Sequence, residues 1–416
     1  MKNYQIPYSR QSISREDVDA VKKVLKSSLI TTGPAVPRFE KQISKYCKVR
    51  HTVAVNSASS ALYIACIAIN IKKNDLVWTT PITFASTASC ALSLGAKVDF
   101  VDIDEVNFNM CAVKLEDKLK KAKKQNKLPK LVIPVHFAGL SCDMKRIKEL
   151  SKKYGFFIIE DASHALGGGY KNSKVGSCQY SDFTVFSFHP VKTITTGEGG
   201  AVTTNSSQLY EKLKILRENG ISKNNKYFKN KSHGPWYYEQ QYVSNNFRMS
   251  DINASLGISQ LKKIQKFIKK RNNIAEIYKK NFDLDQIKIQ SFDKSFYSSY
   301  HLFIILVPRK LRNALFDYLR KFFFVNVHYI PLFYHPVYNF KSKLKFSNAI
   351  DYYQKTISIP IYYDLKIKDQ LNDGINFFKT GREHYTKYLP PRIMAAYYYF
   401  FDIELFNNDK DKLINT

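Results

Sequence analysis

A chain of 416 residues has room for one large domain and a smaller one, and its 44% hydrophobic and 24% charged residues exclude a wholly disordered protein. The net charge of +30 is spread along the chain rather than gathered in one patch. We therefore expect no specific nucleic-acid partner, although a basic surface would help to capture a polyanionic substrate. Apolar runs such as residues 156–159 and 322–325 are too short to span a membrane. Residues 1–5 carry no apolar signal region, so a cytoplasmic protein is expected.

Between residues 52 and 204, short β-rich runs alternate with helical stretches. The predicted strands are residues 52–55, 76–79, 97–101, 131–135, 156–159, 183–187 and 201–203. The predicted helices are residues 58–68, 84–94 and 144–153, and the lysine-rich residues 114–130 are interpreted as a solvated helix. This alternation predicts an α/β fold in which helices cover both faces of a mostly parallel sheet, with ligands at the carboxyl ends of the strands.

The alternation of short β-rich runs and helical stretches does not continue after about residue 257. A long helix is predicted at residues 261–282, followed by strands at 300–307 and 324–328, which indicates a second, smaller α+β domain. We expect an N-terminal segment and large domain at residues 1–256, a small C-terminal domain at 257–379, and an additional tail at 380–416.

The six cysteines form no Cys-x-x-Cys pair, and no histidine cluster lies near them. This spacing predicts neither a metal site nor a disulfide framework. Buried free thiols are expected instead.

Residues 158–165, with the sequence IIEDASHA, end an apolar strand in two carboxylates where the sheet meets its ligand crevice. Asp161 has a simple structural interpretation as the N-cap of a helix. A buried carboxylate nevertheless needs a cationic or hydrogen-bonding partner. A protonated pyridine nitrogen is one such partner.

Residues 187–200, with the sequence SFHPVKTITTGEGG, connect two predicted strands through a glycine-rich turn. Most lysines are solvated surface charges. Lys192 lies instead on a crowded turn between buried strands, which can lower the pKa of its amine and fix its position. Both properties suit a lysine that forms a Schiff base.

Residues 55–62, with the sequence VNSASSAL, pass from a strand through a turn of small residues into a helix. The free N–H groups at such a helix start bind phosphate well. Capping of the helix by Ser57 or Ser59 explains the same pattern without a ligand.

Together these motifs resemble the StrS/DegT family of nucleotide-sugar aminotransferases. The resemblance runs from Ile6 to about Phe378. It also includes residues 30–34 (ITTGP), 135–139 (VHFAG), 246–251 (NFRMSD) and 327–331 (VHYIP). It implies the aspartate-aminotransferase fold, known as fold type I, and pyridoxal 5′-phosphate (PLP) as the cofactor.

The resemblance assigns four residues to the ring of the cofactor. Lys192 matches the lysine that binds PLP as a Schiff base and later shuttles a proton. Asp161 matches the carboxylate that pairs with the pyridinium nitrogen. His164 stands where the family has Gln or His near the phenolic oxygen, and Phe84 matches the aromatic residue that stacks on the ring.

The phosphate contacts implied by the resemblance are Ser187 and the turn formed by Ala58 and Ser59, where the family usually has Gly-Thr. Asn246 matches an asparagine that reaches the phosphate of the neighbouring subunit's cofactor, which implies a homodimer with shared active sites. The family has a glycine where this chain has Ser244, and that difference could shift the loop.

Residues 187–192, 234–241 and 127–139 resemble the transaminases of pseudaminic acid biosynthesis, which act in the synthesis of surface glycans. This resemblance implies UDP-2-acetamido-2,6-dideoxy-β-L-arabino-hexos-4-ulose as the substrate and L-glutamate as the amino donor. His328, Tyr329 and Arg248 are candidate contacts to the substrate's phosphates.

Several alternatives stay open at this point. They are an enzyme that makes a perosamine-type or 4-amino-4-deoxyarabinose-type product, and a catalytically dead binding protein on the same scaffold. A PLP-dependent sugar dehydratase is disfavoured, because that branch replaces the Schiff-base lysine by histidine.

Overall fold

The structure, a computed structural model, describes residues 6–282, 284, 287–338 and 345–366. Its strands are β1 His51–Val55, β2 Leu76–Thr79, β3 Lys97–Phe100, β4 Leu131–Ile133, β5 Phe157–Asp161, β6 Gly169–Tyr170, β7 Ser173–Lys174, β8 Phe183–Ser187, β9 Gly200–Thr204, β10 Ile221–Ser222, β11 Glu239–Gln240, β12 Lys288–Ile289, β13 Phe296–Tyr297, β14 Phe303–Leu306 and β15 Thr356–Ile359. Its α-helices are α1 Arg15–Leu25, α2 Ala35–Cys47, α3 Ala58–Ala68, α4 Ser86–Leu92, α5 Ala112–Lys124, α6 Met144–Tyr154, α7 Ser207–Arg217, α8 Asp251–Lys262, α9 Ile264–Asn281, α10 Arg312–Leu319 and α11 Ser347–Lys355.

A seven-stranded sheet with the order β1-β9-β8-β5-β4-β2-β3 forms the centre of the large domain. The pairs β8-β5, β5-β4, β4-β2 and β2-β3 are parallel, whereas β9 runs antiparallel to both of its neighbours. The mostly parallel α/β fold predicted from the sequence is therefore confirmed. Because β4, β5 and β8 run in one direction, their carboxyl ends meet at one edge of the sheet.

Apolar residues on both faces of this sheet explain why helices cover both sides. In β1, Val53 and Val55 pack in a core with α3 and α7, while Ala54 faces the opposite core with α2 and α8. Side chains alternate between the faces of a strand, so such a continuous apolar run requires cover on both faces. Full burial of one valine contributes about 1.5–3 kcal/mol to the free energy of unfolding.

A second sheet with the order β12-β14-β15 is antiparallel and has a core of its own with α9 and α10. Ile274 of α9, Ile305 of β14 and Leu315 of α10 are buried in this core. Residue 257 lies within α8. The domain boundaries stay predictions, and the predicted tail at residues 380–416 lies outside the described residues.

Of two elements expected in the second half of the chain, the long helix is present with a later start, and the strand at 324–328 is absent. The predicted helix at 261–282 is divided, because α8 ends at Lys262 and α9 begins at Ile264. Residues 324–328 form no strand, and they meet the small sheet through a bridge between Asn326 and Ser358 and through His328 Nδ1, which lies 2.9 Å from Ser358 Oγ. Residues 326–329 instead line a cavity.

The lysine-rich helix α5 is less solvated than expected. Lys114 forms an ion pair with Asp102 at 2.7 Å, and Lys118 forms one with Asp99 at 2.6 Å. The Lys118 ammonium also lies 4.4 Å from the centre of the Trp78 ring. These lysines attach the helix to the sheet.

None of the helices in the described part of the chain combines the length and the apolar character needed to cross a membrane. Within the same residues, no group of three or more potential ligands could hold a metal ion. The six cysteines are free thiols, and five of them are buried.

Candidate active site

A cavity of about 480 Å³ lies at the carboxyl ends of β4, β5 and β8. Ligands of parallel sheets bind at this edge. The structure brings seven of the eight predicted site residues into its lining: Ala58, Ser59, Phe84, Asp161, His164, Ser187 and Lys192. Asn246, the eighth, does not line it.

Lys192 projects from the turn that follows β8 and keeps part of its surface open to the cavity. Burial lowers the pKa of its amine to about 8, and the nearby Asp161 carboxylate opposes that shift. No described side chain hydrogen-bonds to Lys192 Nζ. The amine is therefore partly unprotonated near neutral pH, as a nucleophile requires.

Asp161, the last residue of β5, is held by hydrogen bonds on both carboxylate oxygens. Oδ1 accepts from the Ser163 backbone N–H at 3.1 Å and from Ser163 Oγ at 2.6 Å. Oδ2 accepts from Thr87 Oγ1 at 2.6 Å. No helix in the described chain begins at Asp161, so the N-cap interpretation is wrong.

Glu160, the other carboxylate of this motif, points away from the cavity because side chains alternate along a strand. It lies 2.6 Å from His136 Nε2 and accepts a hydrogen bond from Thr184 at 3.0 Å. Burial favours a raised pKa, but these hydrogen bonds hold the pKa of Glu160 below its usual value. Glu160 therefore stabilises the sheet and does not belong to the cavity.

Three buried histidines lie beside the cavity: His164, His301 and His328. The His164 and His301 rings are 4.2 Å apart, and Tyr329 Oη lies 3.0 Å from His164 Nε2. Burial and the nearby Lys192 keep the pKa of His164 far below its usual value, and the same two causes lower that of His328 to about 3. These imidazoles are consequently neutral in the cofactor-free protein.

The first turn of α3 closes one end of the cavity. Ser57 Oγ accepts from the Ser60 backbone N–H at 3.1 Å, so the capping interpretation is confirmed for Ser57. Ser59 instead lies 2.6 Å from Ser86, Oγ to Oγ. The backbone N–H groups of Ala58 and Ser59 have no acceptor within the helix. They are available to an anion, as the phosphate hypothesis requires.

Phe84 leaves 60% of its surface exposed although it is large and apolar. Its ring lies at the cavity, 6.2 Å from the Tyr329 ring. An exposed aromatic ring in a cavity is typical of a surface that stacks on a flat ligand. The predicted helix at 84–94 begins later, at Ser86, which leaves Phe84 free for this position.

Asn246 lies on an exposed segment outside the cavity of its own chain. Its Oδ1 accepts a hydrogen bond from the Arg248 backbone N–H at 3.2 Å. Ser244, which stands where the family has glycine, donates to the Leu216 carbonyl at 2.7 Å and anchors the segment. The contact of Asn246 with a neighbouring subunit stays a prediction.

Sequence analysis missed several residues of the site. Thr87 holds Asp161, and Tyr8 lines the cavity from the N-terminal segment. His301 lies more than a hundred residues after His164 in the chain. None of the three belongs to a motif, although a threonine on the first turn of α4 could have been tested as a partner for Asp161.

The arrangement fits PLP by its chemistry. An amine of lowered pKa, a buried carboxylate, an exposed aromatic ring and free backbone N–H groups lie around one cavity. Buried His164 Nδ1 has no hydrogen-bond partner among the described residues. Such an atom is expected to find its partner in a ligand.

Comparison with known proteins agrees with this fit. The DegT/DnrJ/EryC1/StrS aminotransferase family matches residues 11–372. The chain belongs to this family. It is accordingly a PLP-dependent aminotransferase, and the fold and enzyme class predicted from the sequence are confirmed.

Individual relatives are similar over most of their length. The UDP-4-amino-4,6-dideoxy-N-acetyl-β-L-altrosamine transaminase of Campylobacter jejuni (strain 81-176) is 40% identical over 373 residues, which cover 88% of this chain and 94% of the relative. Helicobacter pylori PseC, an aminotransferase involved in pseudaminic acid biosynthesis, superimposes with a TM-score of 0.79 at 33% identity, covering 88% of this chain and 96% of PseC.

A third relative bears on the cofactor. Spr1654 of Streptococcus pneumoniae, described as a sugar aminotransferase, superimposes in its PLP form with a TM-score of 0.79 at 29% identity. The match covers 91% of this chain and 98% of Spr1654. Sugar aminotransferases thus share this architecture, and nucleotide-linked sugars are the class of substrate to consider.

Proposed function

We propose that the protein transfers the amino group of L-glutamate to the C4 keto group of UDP-2-acetamido-2,6-dideoxy-β-L-arabino-hexos-4-ulose, a step of pseudaminic acid biosynthesis. The observation that carries this proposal is that Lys192 and Asp161 lie in one cavity with a Lys192 pKa of about 8. The sugar is proposed from the similarity to the Campylobacter and Helicobacter enzymes.

Lys192 and Asp161 perform the chemistry in this proposal. Bound PLP supplies a ring that accepts the electrons left when a C–H bond breaks. Lys192 Nζ would hold the cofactor, and its amine, with a pKa of about 8, would accept the proton from the α-carbon of the amino donor. Asp161, whose carboxylate is held in place by Thr87 and Ser163, would accept a hydrogen bond from the protonated ring nitrogen of the cofactor.

The other predicted residues bind and orient the cofactor. The hydroxyls of Ser59 and Ser187 and the N–H groups of Ala58 and Ser59 hold the phosphate. Phe84 would stack on the cofactor ring, and neutral His164 would lie near the phenolic oxygen. Asn246 completes the phosphate site of a second copy in a homodimer.

The sugar is tested by incubating the enzyme with L-glutamate and three 4-keto sugars, and identifying the amino sugars by mass spectrometry and NMR. We expect amination of the UDP-linked 2-acetamido sugar at C4. Faster turnover of a GDP-linked sugar of the perosamine type, or of a UDP-linked 4-keto pentose, would contradict the proposed substrate. Absence of an amino-sugar product from all three would contradict the proposed function.

A further inference from the structure

Glu198 presents a free carboxylate to the cavity. The cavity lining contains two acidic side chains, Asp161 and Glu198. Asp161 is assigned to the ring nitrogen of the cofactor, and its carboxylate also accepts hydrogen bonds from Thr87 and Ser163. No described residue donates a hydrogen bond to the Glu198 carboxylate or forms an ion pair with it, and its side chain is exposed. An acceptor of this kind is available to a ligand.

The backbone around Glu198 is fixed. Thr196 Oγ1 donates to the Glu198 carbonyl at 2.7 Å, and the Phe188 N–H donates to the Gly199 carbonyl at 2.9 Å. Asn253 Nδ2 donates to the Thr196 carbonyl at 2.5 Å. A Cβ on Gly199 would lie 2.2 Å from Thr196 Oγ1, so the turn is also closely packed. The turn holds the backbone of Glu198 in place beside the cavity.

Charge decides which reactant this carboxylate binds. The phosphate of the cofactor is repelled by a second anion, and so is L-glutamate, because its two carboxylates outweigh its one ammonium group. The sugar part of a nucleotide sugar is neutral and carries hydroxyl and acetamido N–H donors. An ionised carboxylate accepts strong hydrogen bonds from such groups.

We propose that Glu198 is a specificity-determining residue, which accepts a hydrogen bond from a hydroxyl or acetamido N–H on the sugar of the nucleotide-linked substrate. This proposal rests on the proposed function. Hydrogen bonds to charged groups are strong enough that loss of one weakens binding by about tenfold or more. The effect falls on the sugar half of the reaction alone, because the amino donor does not use this contact.

The two half-reactions separate these effects in the PLP-loaded protein. The half-reaction with L-glutamate is followed as the loss of the cofactor's absorption band. The half-reaction with the UDP-linked 4-keto sugar is followed as the recovery of that band. The variants are Glu198→Ala and Glu198→Gln. Glu105→Ala, which removes an exposed glutamate outside the cavity lining, is the control. The mass in solution is measured for each protein.

We expect Glu198→Ala to raise the half-saturating concentration of the sugar by about tenfold or more, with the L-glutamate half-reaction unchanged. Glu198→Gln should fall between Glu198→Ala and the wild type, because its amide oxygen still accepts. Equal loss in both half-reactions, no loss in either, or a changed oligomeric mass would each overturn the proposal. A wild-type protein that responds to L-glutamate but to no nucleotide-linked 4-keto sugar would instead overturn the proposed function and this proposal together.

Discussion

At the scale of single residues, opposing effects of burial and charge set the state of the Lys192 amine. Burial lowers its pKa to about 8, while the Asp161 carboxylate raises it. Neutral histidines at positions 164 and 328 add no positive charge of their own. The lysine can therefore be both a nucleophile and a proton carrier near neutral pH.

The pH dependence of PLP capture by the cofactor-free protein follows from this pKa. The neutral amine reacts, so the capture rate should rise with pH, with a midpoint near 8. Asp161→Asn removes the carboxylate that raises the pKa, so its midpoint should lie lower. Stopped-flow absorption measures both profiles. An unchanged or higher midpoint in the variant would contradict this account.

Thr87 is predicted to orient Asp161. Thr87→Val keeps the side-chain volume but leaves Asp161 Oδ2 without its donor at 2.6 Å. The Asp161 carboxylate is then held less firmly, so we expect turnover to fall by about tenfold, which corresponds to about 1.4 kcal/mol and lies within the roughly 1–3 kcal/mol that such a hydrogen bond is worth. Thr79→Val is the control, since Thr79 is buried and bonds the Ile133 carbonyl away from the cavity. Equal turnover losses in both variants would indicate a general effect on stability.

Local sequence motifs predicted those site residues that lie in a recognisable stretch of the chain. Asp161 follows a buried strand and Lys192 lies on a glycine-rich turn, so both were predicted and both line the cavity. Thr87 and His301 reach the site from elements distant in sequence. Their positions depend on helix packing, which no local pattern encodes.

At the scale of elements, the contact between β9 and the start of α3 shapes the anion-binding end of the cavity. Gly200 begins β9, and a Cβ at this position would lie 2.5 Å from the Ser57 carbonyl carbon and 2.6 Å from the Ala58 nitrogen. The missing side chain lets the helix start pack directly on the strand. Ser187 pairs with Gly200 in the neighbouring strand, which places another hydroxyl beside the same turn.

Gly200→Ala should displace the first turn of α3. The overpacking costs about 1–3 kcal/mol, and PLP affinity should fall because the free N–H groups move. Gly169→Ala is the matched control, since its nearest contact would be an ordinary 3.4 Å. Equilibrium titration with PLP measures both variants. Wild-type affinity in Gly200→Ala would contradict this role of the contact.

Most strands of the large sheet could be predicted to within two residues, because buried parallel strands are short apolar runs between turns. The predicted and observed limits agree at β2 and β8. The division between α8 and α9 was missed because Lys263 is neither glycine nor proline. Residues 324–328 have the composition of a strand, but Asn326 alone among them forms a β-bridge, and residues 326–328 line the cavity.

At the scale of the whole molecule, the cavity is enclosed by the large sheet, the N-terminal segment and residues 326–329. Tyr8 contributes from the N-terminal segment, and its ring lies 5.3 Å from that of His328. Asn246 does not reach this cavity from its own chain. The proposed homodimer would supply that residue from the second copy.

Mixing two variants that are impaired at different positions tests shared active sites. Lys192→Ala and Asn246→Ala impair different parts of each site, so a mixed dimer should contain one site with both residues intact. Unfolding and refolding the variants together should restore about a quarter of the wild-type activity, because about half of the dimers are mixed and one of their two sites is complete. Activity no higher than that of the separate variants would contradict shared sites.

The attachment of the cofactor to Lys192 is tested most directly by the absorption spectrum of the purified protein, before and after L-glutamate is added. We expect a visible band of lysine-bound PLP that fades with L-glutamate as the amino group is taken up. Lys192→Ala should lack the lysine-bound band and turnover. A wild-type protein that stays colourless after PLP is added, or a Lys192→Ala variant with normal turnover, would contradict it.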